Sequence, residues 1–201
     1  MPADPVSHPS GDPDAALIER IQGGDREAFD GLVRRHQQLV YAVACRLLGN
    51  PQEAEDAAQD VFVRAFRAIG GFRREAKVST WLVAITVNVC RNQRRWWARR
   101  RRLIAGSLDA PAGDVADKDP PEPPDPGPDP AVLAHAREQQ RVLLSALASL
   151  DEASRAVVVL RDLQGCAYDE IARMLGCRLG TVKSRLNRAR LRLRALLDGR
   201  L

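Results

Sequence analysis

Residues 105–130 run A-G-S-L-D-A-P-A-G-D-V-A-D-K-D-P-P-E-P-P-D-P-G-P-D-P, and no compact core can be threaded through them. Proline has no amide hydrogen to give to a helix interior or a strand ladder. Few side chains there are apolar, so burial cannot offset the entropy lost on ordering the segment. A flexible, extended linker is predicted, acidic in sign, with Lys118 against seven Asp and Glu. The 201-residue chain is thereby divided into two units, each large enough only for a small core of its own.

Both units read as helical, and no segment carries a strand pattern. In residues 15–104, Leu17, Ile18 and Ile21 mark a short helix stopped at Gly23-Gly24. Asp25 is placed to cap a longer helix that ends at Gly49. Asn50-Pro51-Gln52-Glu53 is a helix start, with Ala54, Ala57, Val61, Phe62, Ala65, Phe66 and Ile69 as its buried stripe. A loop is predicted from Phe72 to Ser79, and Thr80 opens the last long helix. In residues 131–201 one helix ends near Leu150, a second covers Ala156 to Leu163, and a closely spaced pair follows. Residues 1–14, rich in proline, read as a disordered tail. The fold class is therefore all-α, two small helical domains on a flexible acidic Pro-rich linker.

Charge follows the same division. The total is only +5, but the two helical units carry +8 and +6 around the linker's −6. Such basic blocks suit a polyanion. The sharpest signal lies in the C-terminal unit, in Y-D-E-I-A-R-M-L-G-C-R-L-G-T-V-K-S-R-L-N-R-A-R. Ala172 is small where a second helix must cross, and Gly176 follows where the chain must turn through a left-handed conformation. Val182 and Leu186 then sit on the inner face of the next helix, which starts near Gly180 and Thr181. That is helix-turn-helix spacing, whose second helix enters the major groove of duplex DNA. Lys183, Ser184, Asn187 and Arg188 fall on its outward face, with Arg190, Arg192 and Arg194 left for phosphates or solvent.

The N-terminal unit ends in a second basic run, R-N-Q-R-R-W-W-A-R-R-R-R at residues 91–102. A positive helix can track a phosphate backbone and aromatic faces can stack on unpaired bases. Adjacent residues on a helix cannot face one way, so Trp96 and Trp97 must divide their roles. On the preceding helix Asp56, Gln59 and Asp60 share a face, where like charges four apart cost stability unless a basic partner meets them.

Nothing in the sequence supports catalysis, a metal or a cofactor. His8 lies in the tail, and His36 and His135 read as helix-surface residues without metal spacing. Cys45, Cys90, Cys166 and Cys177 form no C-x-x-C pair and read as small apolar residues in a reducing cytoplasm. There is no apolar run of membrane-spanning length and no secretory leader pattern, so a cytoplasmic protein without membrane insertion is expected.

Taken in order, A-E-D-A-A-Q-D-V-F-V-R-A-F at 54–66, T-W-L-V-A-I-T-V-N-V-C-R-N at 80–92 and the helix-turn-helix resemble the extracytoplasmic-function sigma factors of bacterial RNA polymerase. The resemblance implies that residues 15–104 are sigma region 2 and residues 131–201 sigma region 4. It implies docking of Asp56, Gln59 and Asp60 on the clamp helices of the largest polymerase subunit, with the flap region as a further contact. It implies that Phe72, Ala76, Val78, Trp81, Asn88, Arg91, Arg94 and Arg95 meet the melted minus-ten promoter strand. Duplex reading of the minus-thirty-five element would fall to Arg178, Thr181, Lys183, Ser184, Asn187 and Arg188. An anti-sigma factor is a further partner that the resemblance implies.

Overall fold

The computed structural model describes residues 14–104 and 130–198, with side chains described for 14–100 and 138–198. The predicted tail and linker lie outside the described residues, except that Asp14 belongs to the fold and Pro130 begins a helix. Among the described residues there is no strand. Four helices form the N-terminal unit: α1 (Ala15–Gln22), α2 (Glu27–Leu48), α3 (Pro51–Ala68) and α4 (Val78–Ile104). Four more form the C-terminal unit: α5 (Pro130–Ala148), α6 (Glu152–Val158), α7 (Tyr168–Leu175) and α8 (Leu179–Leu197).

Local chemistry sets most of the boundaries. The Asp25 carboxylate accepts from the Ala28 amide at 3.2 Å and starts α2. Gly49, at φ 78°, takes the left-handed turn that ends it. The Asn50 side chain accepts from the Glu53 amide at 3.1 Å, and Pro51 supplies a first helical residue needing no donor. A 3-10 turn, Ile69–Gly71, closes α3. Helix α4 begins two residues before the predicted Thr80, because the Trp81 amide donates to Lys77 O at 3.1 Å and Val78 is drawn into the core. The helix predicted through Leu163 is α-helical only to Val158; Val159–Leu163 is a single π-helical turn.

α2, α3 and α4 pack around Leu32, Val40, Val43, Val61, Val78, Leu82 and Val87, and α1 closes one end with Ile18. α6 and α8 form the second core with α5 and α7, around Leu147, Val157, Leu160, Ile171, Val182 and Leu186. Each of these larger side chains contributes about 1.5–3 kcal/mol on burial.

Two expectations about packing are overturned. His36 is not a surface residue: it is buried, with Nε2 2.9 Å from an oxygen of Asp14, which also accepts from Arg35 at 2.7 Å. The partner lies on the far side of α1, so α2 alone gives no sign of it. Phe66 is not fully inside but 44 % exposed, with its ring edge-on to Phe29 at 5.0 Å.

Candidate nucleic-acid and polymerase interfaces

In the C-terminal unit the turn between α7 and α8 is made by Gly176 at φ 61°, where an L side chain would be strained. The Cys177 amide donates to Ala172 O at 3.0 Å and locks the turn. α8 starts at Leu179, one residue ahead of expectation, because the Val182 amide already finds Arg178 O at 3.2 Å. Val182, Leu186, Ala189 and Leu193 face inward. Arg178, Lys183, Ser184, Asn187 and Arg188 are exposed, and Thr181 is half-buried at the helix start. Ser184 Oγ donates to Thr181 O at 3.1 Å. The side chains of Lys183 and Asn187 make no hydrogen bond among the described residues and are exposed to solvent. Arg190 behaves otherwise. It is tied to Asp162 of the π turn by a bidentate ion pair, and that bond pushes its pKa up. It ties α8 to the π turn while its side chain stays exposed to solvent.

In the N-terminal unit the loop after the 3-10 turn is pinned from below. Gln22 Nε2 donates to Ile69 O at 3.1 Å and Phe72 O at 2.9 Å. Arg74 holds a positive φ of 58° and pairs with Glu19 at 2.8 Å. Phe72 lies over Trp81, ring centres 5.0 Å apart. Together with Ala76, Thr80 and Ala84 they line a pocket of about 430 Å³. Asn88 is exposed and outside that pocket, two helical turns beyond Trp81 on the same α4 face. Arg95 lies two turns further on and is also exposed.

Three sequence assignments fail or change here. Val78 is fully buried and cannot touch DNA; its apolar character serves the core. Arg94 donates to Leu47 O at 3.1 Å, at the carbonyl end of α2. Arg91 donates to Leu175 O at 3.4 Å, at the carbonyl end of α7. Both arginines are half-buried and engaged within the protein, as expected of cations near helix C-termini.

The acidic surface is where the spacing put it. Asp56 and Gln59 are exposed, and Asp60, half-buried, pairs with Arg64 at 2.8 Å. Across a groove of about 540 Å³ Asp56, Asp60 and Arg64 face Val89, Asn92, Gln93, Trp96 and Arg99 of α4, and Gln59 is not among the lining residues. Trp96 is 47 % exposed, with its ring edge-to-face on Trp97 at 4.7 Å. The Arg100 guanidinium sits 5.2 Å from the Trp96 ring centre and 5.9 Å from that of Trp97.

Sequence reasoning missed the contact between the two units. Glu170, Arg173 and Met174 of α7 help to line the Phe72–Trp81 pocket. Arg155 of α6 is only 4 % exposed and donates to Leu47 O of α2 at 2.9 Å.

All four cysteines are free, and burial pushes the Cys90 thiol up to about 12 and raises Cys45 and Cys166. No group of His, Cys, Asp and Glu could hold a metal among the described residues, and no described helix is long and apolar enough to cross a membrane.

Comparison with known proteins accounts for the two-unit layout. Residues 32–102 match the sigma-70 region 2 family and residues 140–193 the sigma-70 region 4 family. The chain is 36 % identical over 182 residues to the RNA polymerase sigma-H factor of Pseudomonas aeruginosa, covering 88 % of this chain and 90 % of that one. It is 34 % identical over 184 residues to the ECF RNA polymerase sigma-E factor of Escherichia coli K12, covering 88 % and 90 %. Among solved structures it resembles CnrH bound to the cytosolic domain of CnrY, with TM-score 0.60, 30 % identity and coverage of 94 % of this chain and 99 % of that one. It also resembles the sigma factor RpoE bound to the anti-sigma factor NepR from Bartonella quintana, with TM-score 0.64, 25 % identity and coverage of 86 % and 98 %. The chain belongs to the extracytoplasmic-function group of the sigma-70 family of RNA polymerase sigma factors.

Proposed function

We propose that this sigma factor, which serves promoter-specific transcription initiation by RNA polymerase, divides promoter reading between its two units. Residues 15–104 act as region 2 and residues 131–201 as region 4. Asp56, Gln59 and Asp60 bind the clamp helices of the largest polymerase subunit, where carboxylates on one face suit a basic partner. The Phe72–Trp81 pocket receives a base flipped from the melted minus-ten strand, with Ala76 on its wall. Asn88 and Arg95 continue that strand's path along α4. Unstacking a base costs a few kcal/mol, and an aromatic pocket with a cationic approach supplies the compensating contacts. Arg91 and Arg94 reach the DNA backbone once their present carbonyl partners are released.

The minus-thirty-five element is read as duplex by α8 through Lys183, Ser184, Asn187 and Arg188, with Arg178 and Thr181 at the helix start. Asn suits adenine, and Lys or Arg suits guanine or phosphate. The chain carries out no reaction of its own and needs no cofactor. It works in the cytoplasm without inserting into a membrane, and it contacts the polymerase flap through region 4. An anti-sigma factor regulates it, a reading supported by the anti-sigma factor NepR bound to the similar RpoE.

The observation that carries this reading is a carboxylate face on α3 and an aromatic pocket between the following loop and the start of α4, in a unit separate from the exposed polar face of α8. The test is run-off transcription and co-purification with core polymerase. The Asp56→Lys/Asp60→Lys double variant should lose core binding and transcription while its helical circular dichroism stays unchanged. Undiminished co-purification would remove the docking assignment.

A further inference from the structure

The basic helix α4 is not one uniform surface. Val89, Asn92, Gln93, Trp96 and Arg99 recur every three or four residues on the face that borders α3. Opposite them stand Asp56 and Asp60. Arg64, paired with Asp60, and Arg99 line the groove too, so Asp56 is the carboxylate in it that no cation pairs among the described residues. Trp96 therefore stands on the α4 face that borders the acidic helix α3, although it sits within the most arginine-rich stretch of the chain.

The indole is also prepared for a protein partner. Its neighbour Trp97 meets it edge-to-face, and the Arg100 guanidinium covers both rings, so its rotamer is held before any partner arrives. Preorganisation reduces the entropy lost on association. A half-exposed, preset tryptophan beside an unpaired carboxylate is the composition of an interface anchor, since Trp is enriched where truncation costs most. Asp56 makes no ion pair among the described residues, whereas Asp60 is already paired with Arg64.

We propose that the α3–α4 groove takes one basic amphipathic helix of core RNA polymerase, with Trp96 as its apolar anchor and Asp56 as its charged one. This rests on the docking assignment made above and extends it from one helix face to a two-walled groove. The occupant is a helix laid along the groove, with a Lys or Arg facing Asp56 and an apolar side chain, one or two turns away, covering the indole. Trp96 thereby belongs to polymerase binding and not to promoter reading.

The experiment uses the full chain and purified core polymerase. Trp96→Ala should weaken core affinity by at least about tenfold in an equilibrium competition assay. Its thermal midpoint should stay unchanged, because the ring is half in solvent. Trp96→Phe should recover most of the affinity. With polymerase in saturating excess, the Trp96→Ala holoenzyme should bind a fork-junction minus-ten DNA probe as the parent does. Full core affinity in Trp96→Ala, with affinity lost in the Asp56→Lys/Asp60→Lys variant, overturns this inference and leaves the docking assignment standing. Full affinity in both overturns the two together. Unchanged core affinity with weakened probe binding makes Trp96 a strand contact instead.

Discussion

Arg155 shows how one side chain can hold a boundary. Its guanidinium donates to Leu147 O at 2.8 Å, Ala148 O at 2.7 Å, Leu150 O at 3.1 Å and, across the units, Leu47 O at 2.9 Å. It has no ion pair among the described residues. Desolvation lowers its pKa, yet arginine stays charged at any physiological pH. A buried cation is tolerated here because carbonyl oxygens surround it, three of them at the frayed end of α5 and the turn beyond, where helix carbonyls lack partners. Arg155→Met removes the donor and leaves those carbonyls unpaired, so a loss of about 3 kcal/mol is expected in urea unfolding. A loss below about 1 kcal/mol would mean that water replaces the guanidinium without penalty. In the sequence this residue is a polar interruption between Ser154 and Ala156, indistinguishable from an exposed position. Burial of His36 was hidden for the same reason, since its Asp14 partner lies 22 residues away. Periodicity tells which face of a helix is apolar; it does not tell what will cover a polar residue on that face.

At the level of elements, the chain's caps were its most readable feature. Asn50, Gly49, Asp25 and Gly176 act at their own helix ends, within four residues, and needed no tertiary information. The exposed face of α8 was readable too, because Val182 and Leu186 fix its rotation. The π turn at Val159–Leu163 was not, since an apolar V-V-V-L run fits either helix type. α6 offers a quantitative check. Its cap, Asp151, accepts from the Ser154 amide at 3.0 Å, and hydrogen bonds from the Ser154 side chain and backbone hold its carboxyl below the usual value. A depressed folded-state pKa means that the stabilisation is complete above the unfolded carboxyl's range and disappears as pH falls through the folded pKa. Asp151→Ala should cost about 1 kcal/mol at pH 7, with the difference from the parent shrinking in acid below about pH 4. Asp151→Asn should keep most of the cap at every pH. A parent–Ala difference independent of pH would show that the charged cap contributes nothing.

For the whole molecule, the contact between units sets a geometric limit. α7 lies against the Phe72–Trp81 pocket while Arg155 and Arg91 bridge the backbones of both units. A compact body of this length has a radius of gyration of about 15 Å. Promoter elements centred at minus ten and minus thirty-five are separated by about 85 Å of duplex. If each unit reads one element, as proposed above, one compact arrangement cannot occupy both, and the proposal requires the units to part. Residues 105–130 have a fully extended reach of roughly 90 Å, enough for the separation. Fluorophores on exposed Ala68 and Ala195 should therefore lose energy transfer when core polymerase and promoter DNA are added. Transfer that persists in a transcribing complex would contradict the division of reading between the units. This arrangement was illegible in the sequence, because each unit's pattern is satisfied by its own core.

The shared acceptor at the end of α2 has a genetic consequence. Across the junction the main-chain oxygen of Leu47 receives Arg155, and the same oxygen also accepts from Arg94 of its own unit. Every amino acid at position 47 supplies the same oxygen. A selection for variants that fall open would recover donor lesions at Arg155, whereas changes at position 47 would act through its buried side chain and leave that oxygen in place.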